Sequence, residues 1–154
     1  MTTTNYRGSN RMAGLGIRVF LTLLGAAGLV IGAFLKWTAG IDGTKLDSRA
    51  YWTTTLRSTG VFVQTAGFAM IVLGLVAVIG LALGSGWLTR LAGAVAIVGL
   101  ILIGIEVYRA PGHGSLQLGV WVVLAGAVLT IVAGFFGLQP LVATPPSTQV
   151  IVDD

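Results

Sequence analysis

Apolar and polar positions along this chain fall into long blocks. Val19–Leu35, Val61–Leu83, Leu91–Ile105 and Leu118–Leu138 contain no Asp, Glu, Lys or Arg. A helix rising about 1.5 Å per residue needs roughly 20 apolar residues to cross a hydrocarbon core about 30 Å thick. The second and fourth blocks reach that length unaided. The first and third reach it with their flanks, Gly14–Arg18 and Trp87–Arg90, whose arginines are expected to snorkel to the interface. The pattern predicts an all-α integral membrane protein, an antiparallel bundle of four transmembrane helices near 13–37, 61–83, 87–108 and 117–138. Strands are excluded in those segments, because backbone polar groups in lipid must be paired internally.

The segments between the blocks set the connectivity. Gly84-Ser85-Gly86 is a tight turn, and Arg109–Ser115, with Pro111 and two glycines, is another. Such short connections make successive helices antiparallel neighbours. Residues 1–12, polar and Thr-rich, are expected to be disordered. The membrane domain covers 13–138, and 139–154 forms a flexible tail containing Pro145-Pro146. The first block is expected to be a retained span rather than a cleaved signal, since it ends in Lys36-Trp37 and lacks a small-residue cleavage pattern.

Composition supports the spans. With 9% charged and 55% hydrophobic residues, the chain cannot clothe a water-facing surface. The net charge of +4 sits beside apolar blocks, so anionic lipid head groups are the expected counter-charge and nucleic acid is not a partner. Trp37, Tyr51, Trp52, Tyr108 and Trp121 lie near span ends on one face, Tyr6 and Trp87 on the other, as interfacial belts require. Arg7, Arg11, Arg18 and Arg90 on the terminal face nearly balance Lys36, Lys45, Arg49, Arg57 and Arg109 on the loop face. Three arginines ahead of the first span tip the orientation toward cytoplasmic termini and an outer 38–60 loop.

Small residues recur at helical spacing: Gly25, Gly28 and Gly32 in the first span; Gly80 and Gly84 in the second; Ala92, Ala96 and Gly99 in the third; Gly119, Gly126, Thr130, Ala133 and Gly137 in the fourth. They let helix backbones approach closely, either within this bundle or on a face that meets a second copy or another membrane protein. Extending the third stripe by helical steps reaches Glu106, the acid nearest any span centre, with Arg109 at i,i+3. Lys36, Gln64 and Gln117 reach the same membrane level, so Lys36, Gln64, Glu106, Arg109 and Gln117 are expected to form a polar cluster. It reads as a structural ion pair capping the bundle, as a proton or cation site, or as a head-group site. In the 38–60 loop, Tyr51, Trp52 and Leu56 are apolar among charges. They suit a short amphipathic piece that lies on the bundle or bilayer surface, as a membrane anchor or to recognise a partner.

Enzyme chemistry finds few groups. His113 is the sole histidine, cysteine is absent, and no phosphate-loop, HExxH or GxSxG motif occurs. No cofactor and no metal are expected. The reading that follows is a non-enzymatic accessory or scaffold protein binding a larger membrane protein; the alternative is a small transporter or channel subunit that uses the Glu106 cluster.

The first span ends Phe34-Leu35-Lys36-Trp37 and is followed by the Gly40-Ile-Asp42-Gly43 turn and three closely spaced Gly/Ala/Val-rich spans. This layout resembles small four-span membrane proteins of high-GC Gram-positive bacteria, with Lys36 where those commonly carry proline. The resemblance implies a plasma-membrane location and no established activity.

Overall fold

The computed structural model describes residues 9–38, 40–54, 56–110 and 115–136, with side chains from residue 14 onward. Four helices account for most of them: α1 Ser9–Phe34, α2 Ala66–Ala82, α3 Gly86–Arg109 and α4 Leu118–Phe135. A two-stranded antiparallel sheet, β1 Lys36–Thr38 with β2 Ile41–Asp42, follows α1. Each helix packs on two others, α1 on α2 and α4, α3 on α2 and α4, which closes a four-membered ring.

The pairings run antiparallel. On α1, Gly25, Gly28 and Gly32 meet Thr130, Gly126 and Val123 of α4 in descending order. A Cβ on Gly28 would stand 2.9 Å from the Gly126 Cα, and one on Gly126 would stand 2.7 Å from the Gly25 carbonyl oxygen. The backbones of α1 and α4 thus touch, which only glycine permits. Gly93 of α3 meets Ala127 and Ile131 of α4 in the same way, and Gly80 of α2 meets Leu88 and Thr89 of α3. Every glycine and alanine expected on these faces in α1, α3 and α4 therefore packs inside the chain, apart from Gly137, which lies outside the described residues.

Three helical segments, Gly14–Phe34, Gly86–Arg109 and Leu118–Phe135, are long and apolar enough to cross a membrane; α2 is apolar but has 17 residues. Helix α1 ends at Phe34, short of the expected 37, and α2 begins at Ala66, after the expected 61. Helix α1 stops at Phe34 because the segment after it is claimed by other contacts. The Trp37 indole N–H donates to the Gly32 carbonyl at 2.8 Å, and the Gly43 amide to the Leu35 carbonyl at 3.0 Å. Both occupy carbonyls that a continuing helix would need. Gly40, at φ +78°, reverses the chain between β1 and β2. At the start of α2, Thr65 is the N-cap, its hydroxyl accepting from the Phe68 amide at 3.1 Å. The Ala66 and Gly67 amides donate to Leu46 and Gly43 carbonyls, both at 2.8 Å. Residues 61–64 are thereby left to a short 3-10 turn, Phe62–Gln64.

The described residues of 36–65 form an ordered cap packed across one end of the bundle, one of the two surfaces expected for this loop. Leu46 pairs with Ser58 and Asp47 with Thr65 in isolated bridges, and Ser48–Tyr51 is a 3-10 turn capped by the Asp47 carboxylate. Trp37, Leu46 and Ala50 of the cap are fully buried and join Leu29, Met70, Ile103 and Val123 in one continuous core. At the other end, α2 closes in a Schellman turn. The Ser85 amide bonds the Gly80 carbonyl at 2.8 Å, the Gly84 amide bonds Leu81 at 3.0 Å, and Gly84 sits at φ +67°. Gly84 terminates α2, and a Cβ there would meet nothing within 4 Å, so it does not pack against a neighbouring helix as its spacing suggests.

Candidate functional site: the capped end of the bundle

The cap side brings together part of the expected polar cluster. Glu106, in the last turns of α3, is largely buried, and its Oε1 stands 3.9 Å from Arg109 Nη1, whose side chain is 69% exposed. Gln117 occupies the N-cap position of α4, and its amide donates to the Trp37 carbonyl at 2.8 Å, tying α4 to β1. The Gln117 Oε1 and the hydroxyl of Thr38, next in the chain after Trp37, are buried without a hydrogen-bond partner among the described residues.

Lys36 and Gln64 do not join the others. Because α1 ends at Phe34, Lys36 no longer continues the Gly28–Gly32 face; it is exposed on β1, opposite Asp42. Gln64 is exposed in the 3-10 turn ahead of α2 rather than inside a helix. The other ion pair among the described residues, Lys45 with Asp42 at 3.2 Å, belongs to the cap.

The three loop residues divide. Tyr51 is mostly buried. Its hydroxyl donates to the Ala66 carbonyl at 3.2 Å, its ring covers Gly99 of α3, and burial pushes its phenol up to about 12. Leu56 packs on the core. Trp52 alone of the three stands out, 67% exposed, with its ring 6.2 Å from that of Tyr51. As a contact surface the loop therefore offers Trp52 and the charged rim, while Tyr51 and Leu56 hold the cap to the helices.

The opposite end carries two features that the sequence reading placed differently. Arg18 does not snorkel: it is 1% exposed, and its Nε and Nη2 make no hydrogen bond among the described residues. Arg90 is half-buried, its Nε donating to the Gly134 carbonyl at 2.8 Å and its guanidinium lying 4.3 Å from the centre of the Phe135 ring. It satisfies an orphan carbonyl in the last turn of α4, where a cation also complements the helix dipole. Buried Thr22, Thr89 and Thr130 each donate to the carbonyl four residues back, so their hydroxyl protons are satisfied within their own helices. A signal for Arg18 exists in the sequence, since 18, 22, 25, 29 and 32 follow the helical spacing of the glycine stripe.

Among the described residues no three His, Cys, Asp or Glu side chains converge as metal ligands would. No family model matches this chain, and no curated protein or solved structure matches it either.

Proposed function

We propose that this chain is a four-span integral protein of the plasma membrane, with both termini cytoplasmic and the 36–65 cap on the outer face, acting as a non-enzymatic accessory or scaffold subunit for a larger membrane protein. The observation that carries the membrane part is the inverted distribution of side chains. Glycine, alanine and threonine face inward, while Phe20, Ile31, Leu75, Ile79, Val98 and Trp121 stand outward. Water disfavours such a surface, and lipid accepts it. Helix α2 carries the same inversion, with Gly74, Ala77 and Gly80 buried and Val72, Leu75 and Ile79 exposed, so it is read as the fourth span. Its 17 residues cover about 26 Å, and the exposed Val61, Phe62 and Val63 before it supply the remaining apolar depth.

Support for an accessory role comes from how the polar groups are used. Glu106 lies beside Arg109, and the expected partners Lys36 and Gln64 lie at the surface, leaving a weak basis for an ion relay. The cap contacts all four helices and presents Trp52 outward, an aromatic anchor of the kind that dominates protein contacts. Pull-down of the tagged chain in mild detergent is expected to recover a larger membrane protein, and Trp52→Ala to weaken that recovery. A proton- or cation-dependent flux in liposomes that Glu106→Gln abolishes would replace this reading with the transport one.

A further inference from the structure

Two cavities lie beside α1, one between its end and the cap and one on its seam with α2. The first, about 550 Å³, is lined by Phe34 and Phe62 and by the polar residues Thr44, Lys45, Ser58 and Thr59 of the cap. The second, about 330 Å³, has an entirely apolar lining that includes Leu23, Ala27, Ile31, Gly74, Leu75 and Val78. Ala26 and Gly74 form its floor, because small residues there leave the seam shallow. Phe34 stands one helical turn beyond Ile31, which sets the two cavities in succession along one side of α1, and they are read together as one groove.

We propose that this groove holds a single glycerophospholipid of the cap-side leaflet, its phosphate against Lys45 and the cap hydroxyls and one acyl chain along α1 and α2. Three features on the molecule converge on that occupant. From Phe34 to Leu23 the groove follows about 16 Å of helix, close to half of a hydrocarbon core about 30 Å thick, which is one leaflet. Polarity changes once along it, at the level of Phe34 and Phe62, as an amphiphile requires. At the polar end Lys45 is held by Asp42 at 3.2 Å, and one such contact leaves N–H groups of the ammonium for a phosphate oxygen. The polar wall is preformed: the Thr59 amide donates to the Lys45 carbonyl at 2.8 Å and the Thr59 hydroxyl accepts from Val61 at 3.3 Å. The inference rests on the membrane reading and is independent of the accessory role.

Native mass spectrometry of the full chain in detergent tests it, with phosphatidylglycerol and a diacylglycerol of the same chains as probes. The wild-type chain is expected to retain one phosphatidylglycerol, and about tenfold less diacylglycerol, the scale of one charge-assisted hydrogen bond. Lys45→Gln should lower phosphatidylglycerol retention about tenfold. Lys45→Arg should preserve it, and Ala27→Phe, which fills the exposed groove, should lower retention of both probes. Val98→Phe on α3 serves as the control and should leave both unchanged. Because a variant can misfold, phosphatidylglycerol carrying a mid-chain diazirine is also cross-linked to the wild-type protein. Adducts confined to the α1 and α2 groove peptides support the site. Adducts spread over all four helices, or equal retention by wild type, Lys45→Gln and Ala27→Phe, overturn it. Extraction of the chain from membranes by alkaline carbonate would instead overturn the membrane reading itself.

Discussion

At Gly126 and Gly104 the same residue type does opposite things. A Cβ at Gly126 would collide with the Gly25 and Gly28 backbones, whereas one at Gly104 meets nothing within 4 Å. Gly126→Ala should therefore force α1 and α4 apart and lower stability by about 1–3 kcal/mol, as overpacking does. Gly104→Ala should raise it by up to about 1 kcal/mol through helix propensity alone. Thermal melts in detergent separate the two. Tyr51 gives a second test. Burial raises its phenol from 10.0 to about 12, so the folded state holds the proton more tightly than the unfolded state. The corresponding stability is fully present below about pH 10 and is lost as pH rises toward about 12. Subtracting the pH–melting curve of Tyr51→Phe from that of the wild type should leave a downward slope in that window. A flat difference would place Tyr51 in water. Arg18 supplies a third. Burying a guanidinium whose Nε and Nη2 find no hydrogen-bond partner among the described residues costs several kcal/mol, so Arg18→Met is expected to raise the melting temperature. A fall would contradict that reading.

At the scale of elements, charge-free length marks where a helix can lie and not where it starts or stops. Val61–Leu83 is a charge-free run, yet Val61–Gln64 belongs to the cap because Thr65 caps α2 and the Leu46 and Gly43 carbonyls take its first amides. Those partners are distant in sequence, so no local pattern reveals them. Trp37 behaves similarly. Its position suits an interfacial anchor, but its indole closes α1 from inside the core. What the sequence did make legible were elements whose signal is local: the Gly84 turn, the stop of α3 before Pro111, and the small-residue stripes. Gly84→Ala should test the turn. Its φ of +67° strains any residue with a Cβ, and a loss of about 1 kcal/mol is expected, without change in the lipid groove.

On the scale of the whole molecule, the ring of four helices inverts the usual soluble pattern, and the cap fastens one end of it. The candidate site was only half legible. Glu106 and Arg109 share one helix, so their spacing sufficed to bring them together. Lys36, Gln64 and Gln117 depended on where α1 ended and α2 began, and the cap decided both. All four helices are proposed to cross the bilayer, and α2, the shortest, decides whether they do. The chain has no cysteine, so single cysteines at Thr54 in the cap and Leu83 at the far end of α2 can be labelled without background. With a membrane-impermeant maleimide, Thr54→Cys should react in intact cells and Leu83→Cys only after the membrane is opened. Labelling of both positions from the same side would mean that α2 does not cross, and would contradict the four-span account.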